Sequence, residues 1–156
     1  MTTHILKTVR LSAELAASVE KESAALGLTF NDYAAHALRL ALTGKRDATI
    51  PFLKALAAWT RKRHAGQDFP QDVTLTVFHH IRDTRAVRRA YDRLTTDAAG
   101  RKDREAVWSL HRRIGLLVKR VLNAEVMGRS LPHDPAEHLV TTFSLLGPSA
   151  STEKEA

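Results

Sequence analysis

The sequence contains no cysteine, and this absence removes several classes of chemistry at once. Without a thiol, the chain can form no disulfide, hold no metal through a thiolate and offer no cysteine nucleophile. A chain that does not depend on disulfides suits a reducing compartment. We therefore expect a cytoplasmic protein.

Long apolar runs are also missing. No run reaches the roughly 18 residues that a membrane span requires. Residues 1–4, Met-Thr-Thr-His, lack the charged and then apolar layout of a secretory signal peptide. These two features predict a chain that neither crosses nor enters a membrane.

The sequence also lacks the common motifs of catalysis. It has no Gly-rich phosphate loop and no G-x-S-x-G nucleophile turn. Its central and C-terminal histidines are not spaced as metal ligands usually are. These are His79, His80, His111, His133 and His138. We predict no enzymatic activity, no cofactor and no metal site.

Positive charge is abundant and unevenly distributed. The formal net charge is +7 at pH 7, and residues 51–130 carry 17 Lys and Arg against 8 Asp and Glu. Clustered cations favour a polyanionic partner, because each phosphate contact releases condensed counterions. The alternative is an Arg-rich helical surface that is simply solvated.

The N-terminal segment begins with a short strand pattern and continues into a helix. Residues 5–11 alternate apolar and polar side chains in part, which predicts a strand. Ser12 follows as an N-cap, and Gly27 provides a stop after a helix over about residues 13–26. A lone strand leaves its backbone groups unpaired, so we expect it to pair with the same strand of a second subunit.

A second helix follows directly. Thr29 is a good N-cap, Asp32 occupies the third helical position, and Gly44 ends the apolar periodicity. We expect Tyr33, Leu38 and Leu42 of this helix to build a dimer core.

The remaining chain predicts further helices. The expected spans are about 51–66, 84–97, 103–127 and 134–146, while residues 73–83 fit a strand or a helix almost equally, with a slight preference for helix. The expected domains are 1–45 for DNA binding and dimerisation, 46–50 as linker, 51–147 as a helical domain for oligomerisation or accessory contacts, and 148–156 as a disordered tail.

The stretch Lys7-Thr8-Val9-Arg10-Leu11-Ser12, the two helices and the intervening Gly27-Leu28-Thr29-Phe30 together resemble the Arc/MetJ/CopG-like ribbon-helix-helix family of DNA-binding proteins. The match covers about residues 4–44. It implies a mainly α protein, in which an N-terminal intertwined dimer with a two-stranded antiparallel ribbon precedes an all-helical C-terminal domain. It also implies a homodimer, or a tetramer on DNA, that binds double-stranded DNA.

The resemblance also assigns candidate contacts. The outward residues that it implies for reading bases are Leu6, Thr8 and Arg10. The candidate phosphate contacts are Lys7 and the first turn of the second helix, namely Thr29, Phe30 and Asn31. Asp32 departs from the family pattern, because its charge weakens a phosphate contact unless it points away. Further along the chain, Arg82, Arg85, Arg88 and Arg89 recur at helical spacing and form a possible secondary DNA contact or a solvated face.

The favoured function is sequence-specific DNA binding by a transcriptional repressor of its own plasmid or mobile-element operon. The first alternative is a relaxosome accessory protein that binds an origin of transfer with a relaxase, since residues 112–123 are weakly similar to mobilisation-C-like proteins. An antitoxin is less favoured, because about 100 residues after position 45 carry enough apolar side chains for a packed domain. A helical module for acidic proteins is the remaining alternative.

Overall fold

The structure is a computed structural model that describes residues 10–44, 47–64 and 68–149. Within these residues the chain forms six α-helices, one short 3-10 helix and two β-strands. The helices are α1 (Ala13–Ala25), α2 (Phe30–Thr43), α3 (Thr49–Arg63), α4 (Val73–Asp83), α5 (Arg85–Thr95) and α6 (Arg104–Val121). The strands are β1 (Ala124–Ser130) and β2 (Phe143–Pro148), and the 3-10 helix Pro135–Glu137 lies between them.

Local capping defines the first two helices, as the sequence predicts. The Ser12 hydroxyl accepts a hydrogen bond from the Leu15 amide, and the Thr29 hydroxyl accepts one from the Asp32 amide. Both bonds satisfy backbone donors that a helix start leaves without an internal acceptor. The predicted helices over residues 13–26 and from Thr29 to Gly44 are confirmed.

Residues 73–83, for which the sequence fits a strand or a helix almost equally, form helix α4. Its buried residues recur at helical spacing, because Val73, Val77 and Ile81 lie four residues apart on one face. Both α4 and α5 pack in the core, and Tyr91 of α5 is 2% exposed. The helices predicted over residues 51–66 and 84–97 are also present as α3 and α5.

The predicted fold class is wrong in where it places the strands. Within the described part of the chain, the two-stranded antiparallel sheet is C-terminal, inside the region predicted to be all helical. Residues 10–12 form neither helix nor strand, and the rest of the predicted N-terminal strand, residues 5–9, lies outside the described residues. Of the predicted tail, residues 150–156 also lie outside them.

The physical reason for the error lies at the end of α6. Asn123 has φ of 48°, a left-handed conformation that asparagine tolerates better than most residues, and it turns the chain out of the helix. The following residues pair with β2 in the register Val126–Leu146 and Ser130–Phe143, with an irregularity before Gly128. The helix predicted over residues 134–146 is reduced to one 3-10 turn, and the apolar residues after it enter the hairpin instead.

One apolar core joins the N-terminal helices to the rest of the described chain. Leu26 and Leu28, on either side of the α1–α2 turn, are buried together with residues of α3, α4, α6 and the hairpin. Gly27 between them has φ of 67°, and a Cβ built on it would lie 2.7 Å from the Arg113 carbonyl oxygen and the Leu117 amide nitrogen. The α1–α2 turn therefore lies directly against the backbone of α6.

Candidate nucleic-acid interface

The predicted base contacts fall mostly beyond the part of the chain that the structure covers. Leu6 and Thr8 lie outside the described residues, as does Lys7, which was predicted as a phosphate contact. Arg10 is described, is exposed and precedes α1 without belonging to a strand. Its guanidinium has no carboxylate partner within the described ranges.

The predicted phosphate contact lies at the first turn of α2. The backbone amides of Phe30 and Asn31 have no intrahelical acceptor at this position, and neither bonds to another described group. Free first-turn amides and the helix dipole both favour an anion. Thr29 caps the helix with its own hydroxyl, so that group serves the Asp32 amide.

The charge of Asp32 is compensated by α6. Its carboxylate Oδ1 lies 3.6 Å from Nη2 of Arg113, which is an ion pair rather than a close hydrogen bond. Nearby, Arg120 of α6 donates to the carbonyl of Ala24 at 3.1 Å and therefore holds the end of α1. Asp32, the acidic residue that departs from the family pattern, is therefore paired with an arginine of the same chain.

Two of the four arginines predicted as secondary DNA contacts are engaged within the protein. Arg82 donates to both carboxylate oxygens of Asp83, at 2.6 and 3.0 Å, and to the Glu137 carbonyl at 2.9 Å. Its guanidinium lowers the pKa of the Asp83 carboxyl. Arg88 donates to Asp92 at 3.0 Å. These bonds leave Arg82 and Arg88 less available to a phosphate.

The other two predicted arginines, Arg85 and Arg89, belong to a row of arginines on α5. Arg85, Arg89 and Arg93 are exposed and follow one another at four-residue intervals, which places them on one face of the helix. None of the three has a carboxylate within ion-pair distance among the residues described. We call these three residues the arginine stripe.

An apolar face of α2 is also exposed. Leu38 and Leu42 are 56% and 82% exposed, although they lie on the side of α2 that the sequence assigns to a dimer core. Leu15 of α1 is 50% exposed. No residue of α2 itself is buried.

A basic groove between α6 and the hairpin has no counterpart in the sequence-based predictions. Arg112 and Lys119 of α6 line it together with Arg129 of β1. In the sequence, the groove is marked by Trp108, an aromatic residue one helical turn before Arg112. In the structure, the centre of its ring lies 5.9 Å from the Arg112 guanidinium carbon. The groove could not be predicted, because its second wall was expected to be helical.

Among residues 10–44, 47–64 and 68–149, no three His, Asp or Glu side chains lie close enough together to hold a metal ion. No helix in the same ranges has the length and apolar character needed to cross a membrane.

Comparison with known proteins gives no relative. No protein family, no curated protein and no solved structure matches this chain.

Proposed function

We propose that this protein binds double-stranded DNA as a homodimer, in the cytoplasm, and represses transcription of its own operon. The observation that carries the proposal is the arginine stripe, Arg85, Arg89 and Arg93. Three unpaired guanidinium groups, carried on Cα atoms about 6 Å apart along the helix axis, suit a phosphate backbone. The net charge of +7 supports the same class of partner.

The first turn of α2 supplies a second support. The amides of Phe30 and Asn31 are free to bind a phosphate, and Arg113 compensates the charge of Asp32. This turn and the arginine stripe are separate elements of the chain, so they offer two independent anchors for the DNA backbone. Backbone contacts position a protein without reading its sequence.

Base reading is assigned to the segment before α1. Leu6, Thr8 and Arg10 are the residues that the family resemblance implies, and an arginine can bond to two acceptors of one guanine. Arg10 is exposed and has no competing carboxylate in the described chain. Sequence preference in this proposal comes from Thr8 and Arg10, with Leu6 against a thymine methyl.

Dimerisation is supported by the exposed face of α2. Leu38 and Leu42 expose apolar surface that a second copy of α2 would bury. A dimer also places two copies of the base-reading segment on one DNA site, which is how two-fold symmetric proteins recognise repeats.

The experiment that tests this function is a binding titration at two salt concentrations. The wild-type protein and a Thr8→Ala/Arg10→Ala variant are titrated against DNA from upstream of the gene and against random duplex. We expect wild type to prefer the upstream DNA, and the variant to lose that preference while keeping salt-sensitive background binding. Equal behaviour of the two proteins on both DNAs would overturn base reading by this segment.

The same titration separates the regulatory role from its nearest alternative. A duplex that contains an origin of transfer is included as a third ligand. Tighter binding to this duplex than to the upstream DNA would replace the repressor with a relaxosome accessory protein that acts beside a relaxase. Salt-insensitive or absent binding to all three duplexes would exclude DNA as the partner.

A further inference from the structure

The basic groove is a concave site of about 620 Å³ between α6 and the C-terminal hairpin, with α4 beneath it. This volume lies within the usual range of small-molecule sites, about 300–1,000 Å³. The floor is apolar and well packed, because Phe78, Phe143 and Leu146 are 3%, 7% and 1% exposed. The groove is therefore an open concave surface with a buried apolar base.

The floor also contains one polar group without a partner. Thr74 of α4 is 3% exposed, and its hydroxyl makes no hydrogen bond to any described group. Burying a hydroxyl without a partner costs free energy, which a ligand that bonds to it would recover. Thr74 lines the groove, and its hydroxyl, which has almost no exposed surface in the free protein, reaches a molecule seated there only when the side chain turns.

The rim of the groove is cationic. Arg112, Lys119 and Arg129 line it, and none of them forms an ion pair with a carboxylate of the described residues. No described Asp or Glu lines the groove. Burial, followed by the nearby Lys102, lowers the pKa of His111 to about 4, so this ring is neutral at pH 7 and the groove's charge comes from the other three side chains.

One wall of the groove is an exposed aromatic ring. Trp108 is 65% exposed, and the Arg112 guanidinium carbon lies 5.9 Å from the centre of its ring. An indole beside a guanidinium can stack on a flat apolar group while the cation binds an attached anion. Large exposed apolar side chains next to a concave surface are typical of binding sites.

We propose that the basic groove binds a small organic anion with a flat apolar body and a single carboxylate, sulfonate or phosphate group. The body packs on Trp108 and the apolar floor, the anionic group lies among Arg112, Lys119 and Arg129, and a polar atom of the ligand bonds to the Thr74 hydroxyl. The site is independent of the DNA-binding proposal, because it uses neither the arginine stripe nor the first turn of α2.

The test uses 2-naphthalenesulfonate as probe and the neutral 2-naphthalenemethanol as its matched control. Calorimetric titration of the full chain is expected to show saturable binding of one sulfonate per chain, at least tenfold tighter than the alcohol. Amide NMR spectra should show shifts confined to α6, the hairpin and the start of α4. Equal affinity for the two probes, or shifts spread over α1 and α2 instead, would overturn the proposal.

Two threonines provide a matched test of the buried hydroxyl. Thr60 of α3 is also buried, and its hydroxyl also lacks a partner in the described chain, but it does not line the groove. Each is replaced by valine, which keeps the shape and removes the hydroxyl. We expect Thr74→Val to weaken sulfonate binding about three- to tenfold, the usual effect of one lost hydrogen bond, and Thr60→Val to leave it unchanged. Identical sulfonate affinities of the Thr74→Val and Thr60→Val variants would show that the Thr74 hydroxyl does not bind the ligand.

The charges are tested separately, so that a folding defect at Thr74 cannot decide the outcome. An Arg112→Gln/Lys119→Gln variant is compared with Arg85→Gln/Arg89→Gln, which removes the same net charge from α5. We expect only the first to abolish the preference for the sulfonate over the alcohol. If both variants bind the sulfonate equally, the groove is not the anion site.

Discussion

The hydroxyl of Tyr91 lies 2.8 Å from Nε2 of His111, and this bond joins α5 to α6 inside the protein. The Tyr91 ring is almost fully buried, and Phe78 packs edge-on against the imidazole at 4.8 Å between ring centres. The hydroxyl donates to Nε2 when the proton of the neutral imidazole is on Nδ1. This arrangement favours a neutral histidine, and burial followed by Lys102 lowers the His111 pKa to about 4.

The first prediction concerns stability against pH. In the unfolded chain the histidine has a pKa near 6.5, so protonation favours unfolding. The stability that neutral His111 contributes is complete above about pH 6.5 and is lost as the pH falls towards about 4. At pH 5 we expect wild type to lose about 1–2 kcal/mol more than a His111→Gln variant, relative to pH 7.5, after allowance for solvent screening.

Urea unfolding at both pH values measures this difference, and comparison with the variant removes the contribution of the other titrating groups. NMR titration of the His111 ring provides an independent check in the folded protein. A folded-state pKa at the ordinary histidine value, or parallel loss of stability in the two proteins, would contradict the prediction.

The second prediction concerns the close approach of the α1–α2 turn to α6. Gly27 and Gly44 both have positive φ, 67° and 64°, so alanine is strained at either position. A Cβ at Gly27 would also meet the backbone of α6 at 2.7 Å, whereas a Cβ at Gly44 meets nothing within 4 Å. We expect Gly44→Ala to cost about 1 kcal/mol of unfolding free energy, and Gly27→Ala at least about 3 kcal/mol.

Chemical denaturation of the two variants gives the comparison, with Gly44→Ala as control for the dihedral strain alone. Equal losses would show that the turn does not press on α6. The amide spectra of Gly27→Ala should also change at Leu117, which lies on the opposing helix.

The helices were predictable because their signals are local. Ser12 and Thr29 each accept a hydrogen bond from a backbone amide three residues further along the chain. Neighbouring residues of the sequence therefore suffice to locate the first turn of both helices. The hairpin depends on pairing residues such as Val126 and Leu146, which lie twenty positions apart. No helical or strand period within either segment contains that information, and the apolar stripe from Val107 to Leu122 led to a helix predicted to continue to Met127.

The candidate site was predictable to a similar extent and for the same reason. The spacing of the arginines on α5 is a local property, and it correctly places Arg85 and Arg89 on one helix. Arg82 is engaged both by the adjacent Asp83, a local partner, and by the Glu137 carbonyl, which lies 55 residues away in sequence and could not be predicted. The basic groove depends on the hairpin and was therefore missed with it.

The third prediction concerns the arginine stripe. Replacing Arg85, Arg89 and Arg93 together by glutamine should weaken binding to random duplex DNA. The slope of the logarithm of the binding constant against the logarithm of the salt concentration should become shallower by about 3, because each phosphate contact contributes about 0.9. Binding isotherms at four salt concentrations measure the slope.

The control for the stripe removes the same charge from scattered positions. Lys21, Lys54 and Arg104 are exposed on α1, α3 and α6, and are replaced by glutamine in one variant. We expect this variant to keep a salt slope close to that of wild type. Equal slopes in the two triple variants would assign the effect to net charge rather than to a surface on α5.

The last prediction concerns the exposed face of α2. If a second copy covers Leu38 and Leu42, serine at both positions removes apolar area that the dimer buries, at about 25 cal/mol per Å². We expect a Leu38→Ser/Leu42→Ser variant to dimerise at least tenfold more weakly in sedimentation equilibrium, and to lose affinity for upstream DNA in proportion. Met127 and Leu131 are 65% and 68% exposed near the hairpin, so Met127→Ser/Leu131→Ser is the matched control. Because that pair lies away from α2, its variant should remain dimeric, and equal dissociation of both variants would place the interface elsewhere.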